Sequence, residues 1–181
     1  MAFTKIASTD MSGTTTVSFT SGIDSTYKLY QFTFIDIHAS LQSSVAFGGS
    51  INGGSDSYAV NKTSTAVRNI NNEADNDGKV EFRSAHALAD SSDFQYLTEA
   101  IKTDADSNAS GNLYLFNPAG TTYAKHFMSS VNTMESSDYT QQLMVHGHFI
   151  TTSAINAIQF DLMNTDSATF DAGTIELWGL S

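Results

Sequence analysis

Gly173-Thr-Ile-Glu-Leu-Trp-Gly-Leu-Ser181 decides the fold. Side chains alternate between the two faces of an extended chain. Ile175, Leu177, Gly179 and Ser181 therefore fall on one side, and Thr174, Glu176, Trp178 and Leu180 on the other. The stretch reads as a β-strand running to the last residue, and a strand at a chain end is normally tied into a sheet. Phe3-Thr-Lys-Ile-Ala-Ser8 begins a second alternating pattern two residues after Met1, with no signal or transit segment before it. Both ends are expected to belong to one β domain covering 1–181.

Working inward, Lys28-Leu-Tyr-Gln-Phe-Thr-Phe-Ile-Asp-Ile-His38 is the strongest interior strand. Tyr30, Phe32 and Phe34 share one face while Leu29, Ile35 and Ile37 take the other, so this strand belongs mid-sandwich or at a subunit contact. Further alternating segments are Thr14–Thr20, Val45–Phe47, Asn112–Phe116, Tyr123–Met128, Gln142–Ile150 and Asn156–Met163, with polar turn clusters such as Gly48–Ser55 between them. Many short strands with polar turns predict an all-β, two-sheet jelly-roll-like sandwich of about eight strands. One segment departs from period two. Phe94, Leu97 and Ile101 recur at helical spacing, with Ser92 placed as an N-cap and Lys102 in the last turn, which predicts a short helix over about 92–102. Asn61 to Lys79 has neither period and reads as a long, partly extended loop.

Composition narrows the function. The chain has 181 residues, 40% of them hydrophobic and 11% aromatic, enough for a real core. With 8 basic against 19 acidic residues the net charge is −11, and the basic residues are scattered. A nucleic-acid footprint needs clustered Lys and Arg, and so does an anionic membrane surface, so neither partner is expected. The acidic surplus suits solubility and docking onto a basic patch of another protein. The sequence has no cysteine, which excludes disulfides and thiolate-bound zinc.

Five segments together carry a family resemblance: Lys5–Ser8, Val17-Ser-Phe-Thr-Ser-Gly-Ile-Asp-Ser-Thr-Tyr27, Leu113-Tyr-Leu-Phe-Asn-Pro118, Ala154-Ile-Asn-Ala-Ile-Gln-Phe160 and Gly173–Leu180. They resemble a widespread group of tailed-bacteriophage virion proteins, especially common in marine phages. The resemblance spans nearly the whole chain. It implies a β-sandwich displayed on the particle surface as a capsid decoration protein, a head fibre or a tail-fibre domain, and it carries no catalytic residues across.

Several constellations are candidates for binding. His146-Gly-His148 projects two imidazoles from one strand face, which is half a metal site. Three copies around an axis would supply six nitrogens, an octahedral set suited to iron or nickel, and the resemblance implies such use in trimeric phage fibres. The same spacing also fits two independent surface histidines. Glu73-Ala-Asp-Asn-Asp-Gly78 alternates oxygen ligands before a glycine as the first half of a calcium loop does, through Glu73, Asp75 and Asp77. Counting from Glu73, the twelfth position is Ser84 where a bidentate Glu belongs, and the alternative is a solvated turn. Asp104–Asn108 alternates similarly without the glycine. Trp178, Tyr30 and Phe32 are candidate interface residues, because the strand apolar on both faces and Trp178 suggest more apolar surface than one sandwich hides. A homo-oligomer follows, with a trimer expected.

Catalytic patterns are missing: the sequence holds no Gly-x-Ser-x-Gly elbow, Walker A, His-Glu-x-x-His or Gly-x-Gly-x-x-Gly. Asp36 and His38 share a strand face near serines, a coincidence that abundant serine makes commonplace. The expected function is therefore a non-enzymatic virion protein that decorates or cements the capsid by contacting the major capsid protein or other virion proteins. A receptor-binding fibre domain is the alternative, and a carbohydrate-binding or carbohydrate-active jelly roll the third reading.

Overall fold

A computed structural model describes residues 2–135, 139–163 and 167–181. The chain forms strands β1 (Phe3–Asp10), β2 (Thr16–Phe19), β3 (Leu29–Ala39), β4 (Ser44–Ser50), β5 (Lys62–Asn72), β6 (Lys79–Phe82), β7 (Gln95–Tyr96), β8 (Ala109–Phe116), β9 (Lys125–Glu135), β10 (Tyr139–Phe149), β11 (Ala157–Met163) and β12 (Phe170–Leu180). They make two packed antiparallel sheets, in the orders β1-β12-β3-β8-β9-β10-β5-β6 and β2-β11-β4-β7. Within that arrangement β1 pairs with β12, β2 with β11, β3 with β8 and β4 with β7. The pairs are nested, as in a long hairpin rolled on itself, which is the jelly roll. Strands β9, β10, β5 and β6 extend one edge of the large sheet beyond this eight-stranded kernel.

Two aromatic clusters hold the layers together. Phe32 and Phe34 on β3 meet Phe19 and Phe160 of the small sheet edge-to-face, with centroids 5.1 Å apart for Phe19–Phe32, 5.1 Å for Phe32–Phe160 and 5.2 Å for Phe34–Phe160. Phe47 of β4 reaches over the extension to Phe127 at 5.1 Å and Phe149 at 6.0 Å. Each such pair contributes about 0.5–1.5 kcal/mol beyond area burial. Gly49 makes the second cluster possible, because a Cβ there would stand 2.5 Å from the Phe149 ring.

The sequence misreads two segments. Residues 92–102 are not helical; the one helical turn described is a short 3-10 piece at Ser84–His86. The backbone of 92–102 pairs with β4 instead. Gln95–Tyr96 lies along Ala46 and Phe47, Leu97 N–H donates to the Val45 carbonyl at 2.8 Å, and Ile101 N–H to the Ser43 carbonyl at 2.8 Å. Leu97 and Ile101 are still fully buried, so the apolar spacing recorded burial and not helical period. Residues 62–72, expected as loop, form the eleven-residue strand β5.

Tyr30 and Phe32 also correct an expectation. Both are 0% exposed and face the small sheet, so they are core residues and not an interface. The Tyr30 hydroxyl donates to the Asp24 carbonyl at 2.9 Å, satisfying its polar end inside the fold. Ile37, expected on the opposite face from Phe34, is buried too, because the register breaks between Phe34 and Ile37, where Asp36 takes a left-handed φ of 50°.

Candidate functional site

Register places the features that bear on function. β10 pairs in unbroken register with both β9 and β5, so side chains line up in rows across the large sheet. On its outer face, away from the small sheet, β8 presents Ser110, Asn112, Tyr114 and Phe116, while β9 presents His126, Met128, Ser130, Asn132 and Met134. Across β10 the row members are Thr140, Gln142, Met144, His146 and His148; across β5 they are Thr63, Thr65, Val67, Asn69 and Asn71. β6 adds Val80 and Phe82, which are 71% and 62% exposed. β3 continues the same face with Leu29, Gln31, Thr33 and Ile35.

None of these outer residues on β8, β9, β10, β5 and β6 is Asp, Glu, Lys or Arg, whereas on β3 the exposed Asp36 brings its carboxylate to 3.5 Å from the outer-face Ser110 hydroxyl. The charged side chains described in β5, β6 and β9, namely Lys62, Arg68, Lys79, Glu81 and Lys125, all belong to the inner face. This inverts the usual arrangement. A sheet with one solvated face normally puts its charge outward, where hydration is free of cost, and its apolar residues inward. Charge returns with Asp36 on β3 and at the far edge, where Lys5 pairs with Glu176 at 2.6 Å and lies 5.4 Å from the Trp178 ring centroid. Trp178, expected at an interface, sits half-buried on this outer face beside Phe3, with centroids 6.4 Å apart.

The inward arginines and glutamates are paired, although Arg68 Nε and His86 Nδ1 are buried without a hydrogen-bond partner. Arg83 grips Glu99 in a bidentate pair at 2.7 and 3.0 Å, Arg68 contacts Glu81 and donates to Gln141 at 3.1 Å, and His86 stands 3.9 Å from Glu99. Burial pushes the His86 imidazole below its usual value; Glu99 pulls it up and the arginines push it further down. Lys62 and Lys125 flank Phe149 at the other end of the sheet, each donating to backbone carbonyls.

His146 and His148 do lie on one strand face, as their spacing required. Spacing does not join them to His126, but register sets His126 directly opposite His148, with ring centroids 5.7 Å apart. Among the described residues no group of three His, Cys, Asp or Glu side chains is placed to hold a metal ion. A metal here would need ligands beyond the described residues. Glu73, Asp75 and Asp77 do not converge either. Asp75 Oδ1 accepts from Asn71 at 3.1 Å, Asp77 Oδ2 accepts from the Tyr139 hydroxyl at 2.9 Å, and Asp75 has a φ of 52°, so the loop is an Asx-rich turn closing β5 onto β6. In the second acidic loop the Asp104 carbonyl faces His38 Nε2 at 3.2 Å. His38 Nδ1 pairs with Asp171 at 2.7 Å, not with Asp36. Burial lowers the His38 basicity, but the Asp171 and Asp104 contacts outweigh it and the net shift is upward. The pair ties β3 to β12 and to the 104–108 loop.

No protein-family model matches this chain, and neither does any curated protein or solved structure. The fold and the face therefore define its class: a jelly-roll β-sandwich whose large sheet is extended by four strands with no Asp, Glu, Lys or Arg among their described outer residues.

Proposed function

We propose that this chain is a non-enzymatic structural protein of a tailed-bacteriophage particle that decorates or cements the capsid exterior. The observation that carries the reading is the outer face of β8, β9, β10, β5 and β6. It bears aromatic, methionine, amide and hydroxyl side chains and no charge, although the chain carries a net −11. Depletion of charge with enrichment of aromatics and Met is the composition of the centre of a protein–protein interface. A protein built around such a face works by docking. The resemblance of Lys5–Ser8, Val17–Tyr27, Leu113–Pro118, Ala154–Phe160 and Gly173–Leu180 to virion proteins supplies the setting, and the acidic loops suit contact with basic patches of capsid subunits.

Quantitative mass spectrometry of purified particles of the phage encoding this chain tests the reading. A copy number that scales with the capsid lattice is expected. A few copies per particle would point to a fibre, and absence from the particle would reject the proposal.

A further inference from the structure

The charge-free face needs an occupant, and its chemistry selects one. We propose that a second copy of this chain covers it. The inference rests on the docking reading above and names the partner.

Two copies of a chain with net charge −11 repel each other. When like faces of two copies meet, each charged residue near the centre confronts its own kind. Placing no Asp, Glu, Lys or Arg there removes that repulsion. A basic partner would select for an acidic face and an acidic partner for a basic one, and this face is neither. Ser, Thr, Asn and Gln both donate and accept hydrogen bonds. Rows such as Asn132–Gln142–Asn69 and Ser130–Met144–Val67 can therefore pair with a copy of themselves, which is what a self-complementary contact requires.

Size is adequate. Strands β8, β9, β10 and β5 at about 4.8 Å spacing, with outer residues spanning about 20–27 Å along each, and the shorter outer stretches of β3 and β6 give about 500–650 Å² per copy. Two facing copies would bury about 1,000–1,300 Å², at the low end of specific interfaces. The internal cost points the same way. Charges that could have been solvated outward are held inside and compensated by Arg83–Glu99 and Arg68–Glu81. An outer face meant for water would gain nothing from that arrangement.

Sedimentation equilibrium of the full chain from about 1 to 100 µM brackets the weak end expected for such an area. Self-association is expected. Met128→Glu and Thr65→Glu each place a carboxylate on the face without touching the core, since both residues are exposed. Each should weaken association by at least about tenfold. Ser18→Glu, on the small sheet, should leave it unchanged. Circular dichroism checks that each variant is folded. A wild-type chain that stays monomeric throughout overturns the inference, as do face variants that assemble like wild type or a Ser18→Glu chain that dissociates equally. A monomer abundant in purified particles would sink this inference and leave the particle reading standing. A self-associating chain absent from particles would do the reverse.

Discussion

Replacing Lys62 with Met should stabilise the protein at neutral pH. Lys62 is fully buried, opposite Phe149, with Nζ donating to the Val60 carbonyl at 2.9 Å and lying 5.7 Å from the Phe149 ring centroid. Burial holds its ammonium down from 10.5 to about 8, with the Asp93 carboxylate opposing. At about 1.4 kcal/mol for each tenfold change in proton affinity, that fall corresponds to about 3 kcal/mol against the folded charged form. Methionine keeps a stem of similar length and removes the charge. Losing the bond to Val60 gives back about 1 kcal/mol. The expected net gain is about 1–3 kcal/mol, or about 2–10 °C in Tm for a chain of this size. The pH dependence identifies the cause. Because the folded chain releases this proton more readily, the unfolded state holds the extra proton between about pH 8 and 10.5, and the wild type recovers stability as pH rises through that window. The advantage of Lys62→Met should be full below pH 8 and fade towards 10.5. Urea denaturation followed by Trp178 fluorescence, at neutral and alkaline pH, measures both. A variant less stable than wild type at neutral pH, or an advantage that does not shrink on alkalinisation, would refute the reasoning.

Three further outcomes are expected. Glu99→Gln should destabilise by about 2–4 kcal/mol, because it leaves two guanidiniums to one carboxylate in a largely buried cluster; a neutral result in urea denaturation would mean that Arg68 and Arg83 are hydrated there. Burial lowers the folded His86 value from 6.5, so on acidification the unfolded chain takes up this proton first. The stability this group contributes is intact above about pH 6.5 and is lost as pH falls below that through the folded value. Melting curves across this range should flatten in His86→Gln, and an unchanged slope would assign the acid sensitivity to other groups. Ni²⁺ should raise the Tm only where a second copy supplies further ligands, since His126, His146 and His148 alone are not placed to hold a metal, and His148→Gln should then abolish the rise; a rise that survives that substitution places the metal elsewhere.

Where a strand buries one apolar face, alternation was readable: β3, β10, β11 and β12 follow their apolar residues. β5 was not. Its inner face carries Lys62, Ser64, Ala66, Arg68 and Ile70, and its outer face Thr63, Thr65, Val67, Asn69 and Asn71. Neither face is apolar, so period two has no contrast to show. The 92–102 segment failed for the opposite reason. Its burial is real, but the partner that consumes its backbone hydrogen bonds is β4, about fifty residues away, and no local pattern encodes that pairing. The candidate site was legible only in fragments. His146 and His148 stood out by spacing, whereas His126 joins them through the β9–β10 register. The charge-free face is invisible until register assigns sides, because Lys62, Arg68, Lys79 and Glu81 make the same sequence look evenly charged.

The four-stranded extension explains why the charges are inverted. The small sheet is only four strands wide, and its β4 reaches as far as Phe127 and Phe149 through Phe47. Beyond that reach the inner faces of β5 and β6 have no apolar layer to meet. The 83–101 segment folds over them instead, bringing Arg83, His86 and Glu99 to Arg68 and Glu81. A paired, hydrogen-bonded cluster closes the sandwich end but contributes little net stability compared with hydrophobic packing. What the extension adds is width on the outer side, and that width holds no charge, keeps Met128, Phe116, Val80 and Phe82 exposed, and stacks amides in rows. The uneconomical inner side and the unusually bare outer side are one structural decision. It is understandable when the outer face is covered by another copy.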